Sequence, residues 1–269
     1  MDIAELLPAL AGGGWKSKVR NWLHRVLGVY RVYDLFSKAC DVQNAGGDNV
    51  FLGVLSELDM PTDYGDLTDK IPGSGSVVVI ANHAFGGADA IALTGLCAAQ
   101  RSDTKVLANA MSSDLPGTSG WTIPLHIMGE DGAVKMNRHA MKASLDHLND
   151  EGLLVVFPAG AVSRWRNDLG RVADPEWSTH VARLAQKAYS PVLPVRFFGK
   201  NPIWFELLGV LNPILRSSLI VRAFLTMKGK PVIFRAGDLI ESADKRFKKP
   251  SNTITQSLRS AVESIDEPY

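Results

Sequence analysis

Cysteine is scarce: Cys40 and Cys97 are the only two in 269 residues. They lie far apart without metal-ligand spacing, which argues against a disulfide scaffold or a cysteine-zinc site and predicts a reduced, cytosolic protein. The charge balance is nearly neutral, +1 from 29 basic and 28 acidic side chains. Nucleic acid is therefore not expected as a partner, because a phosphate-binding surface shows as a basic excess. Long apolar runs are missing too. The stretch from Pro72 to Gln100 lacks Lys, Arg and Glu but is broken by Gly73, Gly75, Asn82, His83, Gly86, Gly87 and Asp89, whereas a membrane-spanning helix needs about 20 predominantly apolar residues. The N-terminus carries Asp2 and Glu5 where a secretory leader carries Lys or Arg, so secretion is not expected. There is no Gly-x-Ser-x-Gly elbow, no Walker loop and no His-Glu-x-x-His helix, and His139 and His147 stand two helical turns apart, so no metal site is expected.

What is present centres on Val77-Val78-Val79-Ile80-Ala81-Asn82-His83-Ala84-Phe85-Gly86-Gly87-Ala88-Asp89. The β-branched run reads as a buried strand and the segment from Ala88 as the start of a helix. Between them two glycines allow a sharp turn that returns the Asp89 carboxylate to the His83 imidazole. A ring held at one nitrogen by a carboxylate keeps the other free to take a proton near neutral pH. Backbone N–H groups at Gly86, Gly87 and the helix N-terminus are placed to bind negative charge on an intermediate or a substrate phosphate.

Around this turn, strands and helices alternate. Residues Trp15 to Phe36 read as one amphipathic helix with Trp15, Val19, Trp22, Leu23, Val26, Tyr30 and Tyr33 on its apolar side. That helix either docks on the domain or lies in an anionic membrane interface. Helices are predicted at Asn49–Leu58, Ala88–Ala99 and Asn137–Asn149, and another from Pro175 with Asp174 as its cap. Strands are predicted at Lys105–Asn109, Leu153–Phe157, Val192–Phe197, Leu219–Thr226 and Pro231–Phe234, followed by a helical tail. Met111 to Gly132 and Pro158 to Val172 read as irregular, the first lid-like. Pro194 is expected at an irregular or edge position. Residues 203–211 read as core, as the lining of an apolar tunnel or as a surface resting on lipid, and Lys245–Lys249 as a solvated turn or an anionic contact. With 46% hydrophobic residues, the chain is predicted to form an α/β fold. Its mixed, largely parallel sheet would be flanked by helices, with a helical extension over 1–70 and one structural unit over 71–269.

The Asn82-His83, Phe85-Gly86-Gly87 and Asp89 pattern resembles the first signature block of the glycerolipid and lysophospholipid acyltransferase superfamily. It is most similar to the bacterial branch of haemolysin-like proteins and ornithine-lipid acyltransferases, which usually has five residues between His and Asp, as here. Phe157-Pro158-Ala159-Gly160 and Val192-Leu193-Pro194-Val195 resemble later blocks, and Arg138 after Met136-Asn137 resembles the second. The resemblance spans roughly residues 50 to 240.

It implies an enzyme that moves a fatty acyl group from acyl-ACP or acyl-CoA to the hydroxyl of a lyso-lipid at the inner face of the membrane, with no permanently bound cofactor. His83 would be the general base and Asp89 its orienting partner. Arg138, Arg164 and Asn82 would bind the acceptor headgroup, and Gly86, Gly87 and Gly160 would shape the turn and oxyanion site. Many members carry a glutamate beside the Phe-Pro block, where this chain has Ala159 and Ala161. That departure points toward an acceptor other than a phosphatidic-acid precursor. The alternatives are acylation of a non-glycerolipid amine or alcohol, or a non-catalytic lipid-binding relative.

Overall fold

A computed structural model of the protein describes residues 14–126, 133–206, 216 and 219–268. In chain order the helices are α1 (Trp15–Leu27), α2 (Val29–Asn44), α3 (Val50–Glu57), α4 (Leu67–Lys70), α5 (Ala88–Gln100), α6 (Ala133–Asn149), α7 (His180–Ala188), α8 (Ile220–Leu225) and α9 (Ser251–Glu263). The strands are β1 (Thr62–Asp63), β2 (Val77–Ala81), β3 (Thr104–Asn109), β4 (Thr122–Leu125), β5 (Leu153–Val156), β6 (Arg164–Arg166), β7 (Arg171–Ala173), β8 (Val192–Phe198) and β9 (Val232–Ala236).

Seven strands form one sheet in the order β1-β9-β8-β2-β5-β3-β4. The pairings from β8 through β2, β5 and β3 to β4 are parallel, and β8 meets β9 antiparallel. β2 is buried along its whole length, the pattern of a parallel strand covered on both faces. Its side chains alternate between two cores. Val77, Val79 and Ala81 join α2, α3 and α5 in one, and Val78 and Ile80 join α6, α7 and α9 in the other. The mixed α/β sheet flanked by helices is thus as the sequence predicts.

Several local expectations are corrected. The single N-terminal helix is two, broken at Gly28, whose φ of 85° places it in the left-handed region and whose N–H closes on the Arg25 carbonyl. A Cβ there would displace the tip of Leu225, but it is the left-handed backbone that calls for glycine. The buried face of this pair is Leu27, Val32, Leu35, Phe36 and Ala39, while Trp22, Val26, Tyr30 and Tyr33 remain exposed. The described part of the helical extension, 14–70, packs onto the sheet. β1 pairs with β9, and α2 and α3 share a core with β2.

Leu219–Thr226 is not a strand. Residues Ile220–Leu225 are helical because Ile220 and Phe224 pack over the Gly86–Gly87 turn while Ala223 is buried beside Val162 and Phe205, and that tertiary contact overrides β-branched propensity. The segment after Met111 contains a 3₁₀ turn and the parallel edge strand β4, whose Pro124 faces Ala108; residues 127–132 lie outside the described ones. Pro158 to Val172 is not wholly irregular, since β6 and β7 form an antiparallel hairpin. Pro194 sits inside β8, the third of the seven strands in the sheet. Its carbonyl accepts from Gly237 N–H just past the end of β9, so the absent donor falls at a break in that ladder.

Candidate active site

In a parallel sheet, ligands bind beyond the carboxyl ends of the strands. His83 follows β2 at that edge, on the strand fourth of seven in the sheet. Its Nδ1 stands 3.1 Å from Asp89 Oδ2, and the aspartate is fully buried while the imidazole is 16% exposed. Asp89 is fixed twice more, accepting Phe85 N–H at 2.9 Å and Ala90 N–H at 2.8 Å. The fold therefore orients a carboxylate onto one ring nitrogen, Nδ1. The ring also lies against Phe157, with centroids 4.6 Å apart.

Burial by itself would lower the His83 pKa, but the charge and hydrogen bond of Asp89, with a further contribution from Asp174, hold it above the ordinary 6.5. Burial likewise opposes ionisation of Asp89. The His83 cation, the hydrogen bond to it and the two backbone donors reverse this and hold the carboxyl below its ordinary 3.8.

Gly86 has a φ of 85°, and a Cβ on it would stand 2.7 Å from Val162 Cγ2 and 2.8 Å from Ile220 Cδ1. The turn is thus closed both by backbone conformation and by its neighbours.

A sequence profile of the acyltransferase family matches residues 66–197, the stretch that contains this turn. That match covers just under half of the chain, and over these residues the chain is similar to an acyltransferase domain. Among curated relatives, a lyso-glycine lipid O-acyltransferase of Phocaeicola vulgatus is 23% identical over 76% of this chain and 71% of its own. Another of that description, from Bacteroides thetaiotaomicron, is 29% identical over 51% of this chain and 48% of its own. The fold is similar to the crystal structure of the 1-acyl-sn-glycerophosphate (LPA) acyltransferase PlsC from Thermotoga maritima. The match has a TM-score of 0.50 and 17% identity, and it covers 91% of this chain and 96% of that one.

The other expected site residues are placed as follows. Asn82 does not present its amide to the open edge. Its Nδ2 donates to Phe197 O at 3.1 Å and its Oδ1 accepts Phe197 N–H at 2.7 Å. A headgroup role is corrected to one of holding the turn onto β8. Gly86 and Gly87 lie at the turn as expected, Gly87 as the residue before α5. Gly160 is also in a turn, with φ 63°, and its N–H donates to Phe157 O at 3.0 Å, so that donor is already engaged within the turn.

Arg138 is exposed on α6. The neighbouring Asn137 ties that helix to the end of β4, donating to His126 O at 2.9 Å and accepting its N–H at 2.8 Å. Arg138 therefore stands at the same carboxyl edge as His83, toward the β4 side. Arg164 is exposed at the root of the β6–β7 hairpin. Arg166 is bound to Asp168 at 2.6 and 2.8 Å.

Two features were not legible in the sequence. Asp174 is not a helix cap, since α7 begins only at His180. Its carboxylate instead accepts His83 N–H at 3.1 Å, Ser163 O–H at 2.5 Å and Trp177 N–H at 2.8 Å. Glu206 and Arg216 form an ion pair at 3.6 Å beside the hairpin, and Arg216 also donates to the carbonyls of Ser163 and Val162. Burial raises the Glu206 pKa and lowers that of Arg216. Of the segment considered as a tunnel lining, Phe205 is buried and Ile203 exposed; residues 207–211 lie outside the described ones. The basic run after Asp244 forms a 3₁₀ turn near the start of β8, at the opposite edge from His83.

Proposed function

We propose that this protein moves a fatty acyl group from an acyl thioester, acyl-ACP or acyl-CoA, to the hydroxyl of a lyso-lipid at a membrane surface. The observation that carries this reading is the His83 ring, fixed through Nδ1 by a buried aspartate at the open edge of the sheet. Nε2 takes the proton of the acceptor hydroxyl as its oxygen attacks the thioester carbonyl. The tetrahedral oxyanion is met by backbone N–H groups of the Gly86–Gly87 turn and the start of α5. Collapse breaks the C–S bond, and the thiolate leaves with the proton held on His83. The thioester is already activated, so neither an enzyme nucleophile nor a resident cofactor is needed.

The acceptor we infer is a lyso-lipid with a carboxylate headgroup, as in lyso-amino-acid lipids. Two curated relatives are described as lyso-glycine lipid O-acyltransferases, and Arg164 and Arg138 offer guanidinium groups suited to paired hydrogen bonds with a carboxylate. Ala159 and Ala161, standing where many members of the resembled family carry a glutamate, favour the same reading.

Among the described residues no helix is long and apolar enough to cross a membrane. The exposed Trp22, Val26, Tyr30 and Tyr33 on α1 and α2 fit peripheral attachment, at the inner face if the thioester donors are cytosolic.

The test is a thioester-consumption assay of purified protein, with acyl-CoA and acyl-ACP offered against lyso-glycine lipid, lyso-ornithine lipid, lysophosphatidic acid and long-chain amines. Turnover requiring an acceptor and lost in His83→Ala supports the reading and identifies the acceptor. Turnover indifferent to His83 removes it as the base. Consumption with amines alone favours the N-acylation alternative, and lipid binding without turnover favours a non-catalytic relative.

A further inference from the structure

The peptide unit of His83 is gripped from both sides by the two ends of the β6–β7 hairpin. At the hairpin's start, Ser163 N–H donates to the His83 carbonyl at 2.8 Å. At its end, the Asp174 carboxylate accepts the His83 N–H at 3.1 Å. The two ends are joined by Ser163 O–H donating to Asp174 at 2.5 Å. Trp177 N–H closes the ring of donors at 2.8 Å. Asp174 is only 5% exposed, so this carboxylate is held by three hydrogen bonds in place of water. A structural aspartate needs no such relation to the base. Here one of its donors is the main chain of the residue whose ring meets the substrate.

We propose that Asp174 is a positioning residue for acyl transfer, setting the backbone of His83 and coupling it to the hairpin that carries Arg164. The inference rests on His83 being the base. It adds a second carboxylate whose role differs from that of the first. Asp89 orients the ring through Nδ1, and Asp174 fixes the peptide from which the ring projects. Because Arg164 immediately follows Ser163, a headgroup seated on that guanidinium pulls on the same hydrogen-bonded ring that places the base. A base displaced by about 1 Å loses on the order of a hundredfold in rate.

The charged groups facing His83 are Asp89 from α5 and Asp174 from the hairpin. Those facing Asp174 besides His83 are Arg166 and Arg259, whose guanidinium groups reach its backbone carbonyl at 3.4 and 3.2 Å.

The experiment uses the full chain and Asp174→Asn. One readout is the His83 titration followed by NMR without substrate, and the other is kcat and KM with the acceptor identified above. The expected result is a His83 pKa lower than in the wild type and a kcat reduced about 10- to 100-fold, with KM changed less than about threefold. A folded Asp174→Asn protein with unaltered His83 titration and kcat overturns the proposal. A lowered melting temperature alone, with both readouts unmoved, assigns Asp174 to structure and also overturns it.

If Asp174→Asn fails to fold, Ser163→Ala removes one donor while keeping the carboxylate. Its kcat is expected to fall several-fold, and an unchanged kcat overturns the coupling. The titration is read without turnover, so an inactive wild type whose His83 pKa still depends on Asp174 refutes the acyl-transfer reading and leaves the positioning contact standing.

Discussion

Asn82 exchanges two hydrogen bonds with the backbone of Phe197, its side-chain amide imitating a peptide group. The β2–β8 ladder reaches Ala81 opposite Val195. Where the main chain then leaves the sheet, this side chain continues the pairing for one more step. That lets His83 turn into the open edge while the strand beneath it stays anchored. Asn82→Ala is expected to destabilise the fold by about 1–3 kcal/mol, because the Phe197 groups lose both partners. Denaturant unfolding with an unchanged m-value measures it.

His83→Ala should lower turnover by about 10²- to 10⁴-fold while keeping the fold. Asp89→Asn should do comparable harm to turnover and also cost about 1–3 kcal/mol, since it turns an amide toward donors that now meet a buried carboxylate. Steady-state kinetics and thermal unfolding of the same preparations separate the two effects.

The reaction needs neutral His83, and its pKa lies above 6.5. Activity should therefore rise with pH, with a half-maximal point above that value, and Asp89→Asn should move the residual acid limb to lower pH. For stability the signs differ between partners. The raised His83 contributes fully below 6.5 and loses its contribution as pH rises through the folded value. The depressed Asp89 contributes above 3.8 and loses its contribution as pH falls through its lower folded value. Between these limits the pair is charged, so the stability gap between wild type and Asp89→Asn should narrow as pH climbs past the His83 pKa. Unfolding curves collected across pH check this.

Gly86→Ala forces a side chain into a left-handed turn and against Val162 and Ile220. A loss of at least about 1–3 kcal/mol is expected, together with reduced turnover, because Val162 precedes the hairpin that grips His83. A variant as stable and active as wild type would show that the turn tolerates a shift of both neighbours.

Replacing Trp22, Tyr30 and Tyr33 together by serine should weaken binding to anionic vesicles by about tenfold or more, with little effect on melting temperature, since all three are exposed. Vesicle co-sedimentation at two salt concentrations tests this. Undiminished binding would locate the membrane contact elsewhere.

The sequence by itself determined the central strand, the His83–Asp89 turn and the helices flanking the sheet. Those features depend on local pattern: a β-branched run, two glycines at a sharp turn and helical periodicity. It also determined the departure at Ala159 and Ala161, visible only against the family's block. Tertiary structure decided the rest. Asp174 looks like a cap because Asp-Pro opens many helices, yet its carboxylate is claimed by His83, Ser163 and Trp177, the first of them 91 positions away. Asn82 looks like a site residue beside the histidine, yet Phe197 takes its amide from 115 positions away. Ile220–Leu225 has a strand's composition but covers a turn instead of joining the sheet. In each case a polar group or an apolar face was satisfied by a partner distant in sequence, and no local spacing encodes which distant partner the packing of two cores will bring within reach.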